Sequence, residues 1–189
     1  MPTTYTGSGV PERLRGATVS VEWFDVFGAK PQLGRTFQPE EDKPNANNVI
    51  VLSDAAWKRL FGHDAGVLAR TVELNEKPYK VIGVMGPEFR WPAIADLWVP
   101  LGLPDAQYNP QNRFNEGFAA FARLKPGVKV AVANTFTQVL SDRVKNSAGR
   151  LGEYAKQSAW GMFLVPMTDF VAGDTKTPTL VLRAQWASF

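Results

Sequence analysis

The segment closest to a known chemical motif is Gly28 to Thr36 (GAKPQLGRT), which is superficially similar to the phosphate-cradling loop G-x-x-x-x-G-K-[ST]. It fails on mechanism. Five residues separate the two glycines instead of four, Pro31 removes an amide that a phosphate cradle uses, and Arg35 stands where the phosphate-contacting Lys belongs. His63 is the only histidine and Cys is absent, so a His-rich zinc site or a thiolate site lacks its ligands, and a catalytic triad would have to manage with this one imidazole. His63 is expected in solvent, in the loop GHDAG. The run Glu40-Glu41-Asp42 offers carboxylates to a hard cation, but Ca²⁺ takes six to eight oxygens and no D-x-D-x-D-G spacing supplies them; a solvated loop is the simpler reading. Glu73, Glu76 and Glu88 have no partner carboxylate that spacing alone can place for acid/base work. The residues therefore predict no catalytic, cofactor-binding or metal-binding site. One segment is set apart as a partner-contact loop: Phe89 and Trp91 lie in GPEFRWPAIAD, a Pro/Gly-flanked stretch where large apolar side chains are hard to bury. Trp23, Trp57 and Phe61 lie within short helical patterns and read as core.

The elements that must carry these residues are those of an ordinary globular chain. Of 189 residues, 44% are hydrophobic and 21% charged, enough for a sizeable core. The 21 Lys and Arg against 18 Asp and Glu are scattered in ones and twos, with no run that could follow a phosphate backbone, so nucleic acid is not expected as a partner. The missing Cys fits an oxidising compartment. The longest charge-free apolar stretch, Gln157 to Thr168, is broken by Gly161 and Pro166 and falls short of the ~18 residues of a membrane span. The opening MPTTYTGSG lacks the charged and apolar regions of a signal peptide, so export is expected to depend on sequence beyond this chain.

Arg13 to Val19 reads as a strand, followed by a short helix, Val21 to Phe27, with Ser20 as its cap and Gly28 as its stop. The device repeats: Val49 to Leu52 is an apolar strand, Ser53 caps a helix over Asp54 to Phe61, and Gly62 ends it. Thr71 to Met85 alternates on both sides of Asn75-Glu76-Lys77, a β-hairpin with Gly83 as a bulge or close-approach point. Leu97 to Leu101 is expected at a sheet edge because Pro100 cannot donate to a central ladder. Gly117 to Leu124 is a further strand. The longest helix, Lys129 to Asn146, has Val132, Phe136, Leu140 and Val144 on one apolar stripe. Met162 to Pro166 follows as a strand, which makes Gly117 to Pro166 a β-α-β unit with parallel strands. The expected class is α+β in two lobes. One is a layered α/β lobe of about residues 11–34 and 104–182; the other, inserted in it, is a β-rich lobe of about 35–103.

Several blocks in order, PERLRGATVSVEWFDVFGAKPQLGRTF, NNVIVLSDAAWKRLFG, TVELNEKPYKVIGVMGPEFRWP, DLWVPL and FARLKPGV, resemble the MacB-like periplasmic core domain of bacterial ABC-transporter permeases. The resemblance runs from about Pro11 to Leu182. It implies a porter-like α/β lobe near the membrane and a sabre-like β-rich lobe, at the extracytoplasmic face of the bacterial inner membrane. It also implies a chain that is not an enzyme and needs no cofactor. The partners implied are a cytoplasmic ABC ATPase, a second permease protomer and a periplasmic adaptor protein, and the role implied is relaying ATP-driven movement to export a substrate. The alternative is a module that recruits a partner without transport, as distant relatives in cell division are thought to do. Relative to the family pattern the chain is expected to be N-terminally incomplete, opening with a polar flexible leader. Residues 183–189 (RAQWASF) are expected to form an atypical, loosely held tail. Lys129-Val130-Ala131 stands where relatives carry a Thr cap and acidic residues, so that helix end is expected to fray.

Overall fold

The computed structural model describes residues 2–7, 11–91, 95–109, 117–171 and 180–184. The chain divides into two compact units, Met1–Asp105 and Ala106–Phe189. The class is mixed α/β.

The first unit is built on seven strands: β1 (Pro2–Tyr5), β2 (Glu12–Val19), β3 (Pro31–Gly34), β4 (Val49–Leu52), β5 (Thr71–Leu74), β6 (Lys77–Met85) and β7 (Leu97–Pro100). Their order is β3-β6-β4-β7-β2-β1-β5, and β5 also pairs with β6, so the hydrogen bonding returns to a strand already in the sheet. Two short helices, α1 (Trp23–Phe27) and α2 (Asp54–Phe61), complete the unit's regular helices. β4 (VIVL) and β7 (LWVP) are apolar throughout because both of their faces are covered. Ile50, Leu52, Leu97 and Val99 enter one cluster with Tyr5, Leu14, Trp57 and Val72, while Val51 and Trp98 enter a second with Phe24, Phe37 and Met85.

Gly83 sets the phase of β6. The register against β4 skips from Ile50↔Val81 to Val51↔Gly83, so Val81 and Val84 share one cluster while Ile82 and Met85 go to the other. A Cβ on Gly83 would lie 2.2 Å from the carbonyl oxygen of Arg35, so only glycine fits. The hairpin turn expected at Asn75-Glu76 is present, with both residues at positive φ (50° and 64°), as a tight hairpin requires. Ser53 caps α2 through its Oγ, which accepts the Ala56 amide at 3.2 Å, and Gly62 ends it in the left-handed conformation.

Four expectations are corrected. β7 is not an edge strand: it lies between β4 and β2, and Pro100 is tolerated because it is the last residue, opposite the last residue of β2. The opening residues are not a flexible leader, since Pro2–Tyr5 pairs antiparallel with β2 and buries Thr3 and Tyr5. Ser20 does not cap α1 with its side chain; Glu22 holds the N-cap position, and Ser20 contributes its carbonyl to the Trp23 amide. The division of the chain also differs. The strand Glu12–Val19, grouped from sequence with residues 104–182, is hydrogen-bonded to β7 and β1 in the first unit, and the boundary falls at Asp105. Tertiary pairing decided that membership, which local pattern does not encode.

The second unit holds a three-stranded sheet of β8 (Ala120–Ala122), β9 (Met162–Pro166) and β10 (Leu180–Ala184), in the order β8-β10-β9, with helices α3 (Val130–Lys145), α4 (Arg150–Gln157) and α5 (Met167–Val171). β8 and β9 are both antiparallel to β10, so they run parallel to each other as expected of a β-α-β unit, but β10 separates them. Arg183 and Ala184, assigned from sequence to the loose tail, are paired with Phe163 and Met162; residues 185–189, including Trp186, lie outside the described residues.

Trp98 is fully buried where Phe24 (5.5 Å between ring centroids) and Phe89 (5.4 Å) meet it. Trp98→Ala is expected to lower the unfolding free energy of the first unit by about 3–5 kcal/mol, read by urea denaturation followed by circular dichroism; a loss below ~1 kcal/mol would contradict the packing described.

Candidate functional site

Helix α3 is held to β9 by polar side chains. Asn134 Oδ1 accepts the Leu164 amide at 2.6 Å, and its Nδ2 donates to the Leu164 carbonyl at 3.4 Å. Ser141 Oγ accepts the Met162 amide at 2.8 Å while donating to the Thr137 carbonyl one turn back, also at 2.8 Å. Met162 and Leu164 are two residues apart, so both direct their amides to the side of β9 away from β10. The helix thus satisfies an open strand edge. Ala133, Thr137 and Ser141 are its buried residues, and Leu124 and Val130 pack around Ala133 and Leu164.

The apolar stripe is therefore on the other side. Val132, Phe136 and Leu140, expected from spacing to be the inward stripe of an amphipathic helix, are exposed, Phe136 by 67%; Val144 is half-buried. Val139 is exposed beside them. Every exposed large hydrophobic side chain among the described residues lies in the second unit, the others being Phe118, Val128 and Phe170. Lys129 occupies the N-cap of α3 without a side-chain capping bond, as the missing Thr leads one to expect.

A concave feature lies in the first unit, an open groove of about 220 Å³ lined by residues that include Ser53, Asp54, Phe89 and Arg90. Its carboxylate is already committed. Asp54 accepts Gln32 Nε2 at 3.0 Å and Lys58 Nζ at 2.9 Å, and Gln32 also donates to the Met85 carbonyl at 2.8 Å, tying β3, α2 and the end of β6 together. The Gln32 hydrogen bond first, and then that from Lys58, hold the Asp54 carboxyl below its ordinary range despite burial. Arg90 Nε donates to the Pro87 carbonyl at 3.0 Å. These contacts brace the groove walls.

The other residues singled out in sequence are placed as follows. Phe89 is half-buried, and its ring meets Phe24, Phe27 and Trp98 within 5.8 Å, so the loop residue joins an aromatic cluster while also lining the open groove. Trp91 is half-buried nearby, its carbonyl accepting Trp98 Nε1 at 3.2 Å. His63 is exposed and rests edge-on against Trp57, ring centroids 4.1 Å apart. Pro31–Gly34 of the phosphate-loop look-alike is strand β3. The acidic run forms a short 3₁₀ turn, not a free loop: Glu41 pairs with Arg35 at 2.6 Å, and Asp42 accepts the Gly102 amide at 2.9 Å. Burial pushes the Glu41 carboxyl up, but Arg35 and the Gln38 amide outweigh it and leave it lowered. Among the described residues no group of three or more His, Cys, Asp or Glu could hold a metal ion, and no helix is long and apolar enough to cross a membrane.

Asn134 and Ser141 were not singled out by their types; the only trace in sequence is their position opposite the apolar stripe, where a core-facing helix would not place an amide. The double variant Asn134→Ala/Ser141→Ala is expected to cost about 2–4 kcal/mol, because it leaves two strand amides without partners, and to speed hydrogen exchange at Met162 and Leu164 specifically. For Asp54, a lowered carboxyl contributes stability that is present above the unfolded value, about 3.9, and is lost as pH falls through the folded value below it. The wild-type chain is expected to lose stability over that acid window, and Asp54→Asn to flatten the loss in urea midpoints measured across it.

Comparison with known proteins gives a consistent family. Residues 2–139 match the model of the MacB-like periplasmic core domain. Among curated proteins, the macrolide export ATP-binding/permease protein MacB of Escherichia coli (strain K12) is 29% identical over 129 residues, 66% of this chain and 19% of that protein. The protein of the same name from Aggregatibacter actinomycetemcomitans is 36% identical over 70 residues, 37% of this chain and 11% of that protein. The chain therefore spans less than a fifth of the length of these relatives. The fold is similar to that of the periplasmic region of MacB from Actinobacillus actinomycetemcomitans, with TM-score 0.53 at 20% identity, covering 79% of this chain and 74% of that one. A domain of a permease protein from Porphyromonas gingivalis gives TM-score 0.50 at 18% identity, covering 75% and 68%.

Proposed function

Because this chain belongs to the MacB-like periplasmic core domain family, we propose that it is the extracytoplasmic part of an ABC-transporter permease and relays ATP-driven movement generated elsewhere in the transporter to help export a substrate. The observation that carries the reading is the span of the family match, residues 2–139, which takes in the whole first unit and runs on through most of α3. The relatives' names join an ATP-binding part to a permease in one exporter. On this reading the chain works without a catalytic centre of its own, at the extracytoplasmic face of the inner membrane. A cytoplasmic ATPase, a second permease protomer and a periplasmic adaptor are its partners.

The mechanics fit a body that is moved. The first unit buries both faces of β4 and β7, and a densely packed core transmits displacement with little deformation. In the second unit, the β8-α3-β9 arrangement is the porter-like part; the seven-stranded unit is the sabre-like part.

The absence of cysteine from this chain makes a clean test available. Asp25→Cys, at an exposed position on α1, accepts a spin label in the intact transporter, with any cysteines outside this chain replaced. The distance between labels on two protomers is expected to shift between nucleotide-free and ATP-trapped states. The same distance distribution in both states would sink the relay reading and favour a partner-recruiting module.

A further inference from the structure

The outward face of α3 has a composition that identifies what covers it. At about 100° per residue, Val132, Phe136, Val139 and Leu140 fall within one arc of the helix, and Lys129 and Arg143 fall in the same arc at its two ends, roughly 21 Å apart. Both cations are exposed, as are all four apolar residues. The arc is centred on Phe136, roughly 100–160° around the helix from Thr137, Ser141 and Asn134, with Ala133 at its border beside Leu140, so its exposure follows from how the helix is fastened to β9. The second unit as a whole carries ten Lys and Arg against five Asp and Glu, whereas the first carries eleven against thirteen.

These features weigh against a second copy of the chain as occupant. Antiparallel pairing of two α3 stripes would set Lys129 against Arg143 twice, and parallel pairing would set each cation against its own kind. Four side chains also bury only a few hundred Å² per partner, under the ~800 Å² per partner of a stable protein interface. A bilayer surface meets both conditions. An apolar helix face flanked by cations enters the boundary between headgroups and acyl chains, and long basic side chains reach back to the phosphates.

We infer that the outward face of α3 is a membrane-surface contact for anionic phospholipid. Val132, Phe136, Val139 and Leu140 enter the acyl boundary, and Lys129 and Arg143 meet headgroup phosphates. The inference rests on the permease reading, which places a bilayer within reach. It adds a fixed point against which the second unit can be held while the transporter moves.

The test uses the 189-residue chain with vesicles of phosphatidylcholine, alone or mixed with phosphatidylglycerol, in co-sedimentation. Binding is expected only to the phosphatidylglycerol vesicles and is expected to weaken as salt is raised. Phe136→Glu and the pair Lys129→Glu/Arg143→Glu are each expected to reduce binding about tenfold or more, while Phe136→Leu retains it. Thermal melts that match wild type show that the variants fold, as exposed positions allow. No binding by the wild type, equal binding to both vesicle types, or undiminished binding by Phe136→Glu would each overturn the inference. So would a dimer, seen by light scattering, that binds no vesicles and is dissolved by Phe136→Glu. Each result is independent of the spin-label distances, so this contact and the relay reading can fail separately.

Discussion

A strand edge with unpaired amides decides which face of α3 the second unit leaves at its surface. Buried backbone donors must find acceptors, and at the side of β9 away from β10 they find Asn134 Oδ1 and Ser141 Oγ on α3. A helix that serves an edge in this way must turn amide and hydroxyl groups inward, and its other buried residues, Ala133 and Thr137, are small. Its apolar residues are then left on the opposite face. The arrangement departs from the ordinary rule that the apolar stripe of a helix seeks the core.

The first unit solves the opposite problem. Its strands pair on both sides over most of the sheet, and β6 meets β5 as well as β4, so few backbone groups need side-chain partners. Apolar residues can then be used up in packing: Trp98, Phe24, Met85 and Leu97 are fully buried, and among the described residues none of the large exposed hydrophobics belongs to this unit. Polar side chains serve as ties instead. Asp96 accepts the Arg15 amide and Arg59, which also reaches Glu12, so β2, α2 and the start of β7 are joined through one carboxylate. Even the groove beside α2 has its charge occupied, by Gln32 and Lys58.

Local signals were readable where local chemistry decided the outcome. Val49–Leu52, the Ser53 cap, Gly62 and the Asn75-Glu76 turn fall where the residues place them, since each depends on neighbours a few positions away. What could not be read is what distant pairing decides. Pro100 argues for an edge until β2 and β4 are seen on either side of β7 and the proline at its last position. The polar opening conceals a strand because Thr3 and Tyr5 become buried only once β2 and β5 are beside them. Phe89 reads as an exposed loop residue because its partners Phe24, Phe27 and Trp98 come from elsewhere in the chain. For α3 the periodicity revealed the stripe but not its direction, since direction depends on β9, some twenty residues further on.

On the proposed reading, the two units divide the tasks of a moved part between them. Transmission needs a body that does not deform, and that requires apolar residues to be spent inside, as around Trp98. Contact needs apolar and charged groups held at the surface by something other than their own burial, and the bonds from Asn134 and Ser141 to β9 supply that hold. A single core can hardly do both, because a side chain that stiffens it is no longer available outside. Placing the stiff core in residues 1–105 and the outward stripe on a helix anchored through its polar face lets each be optimised without weakening the other.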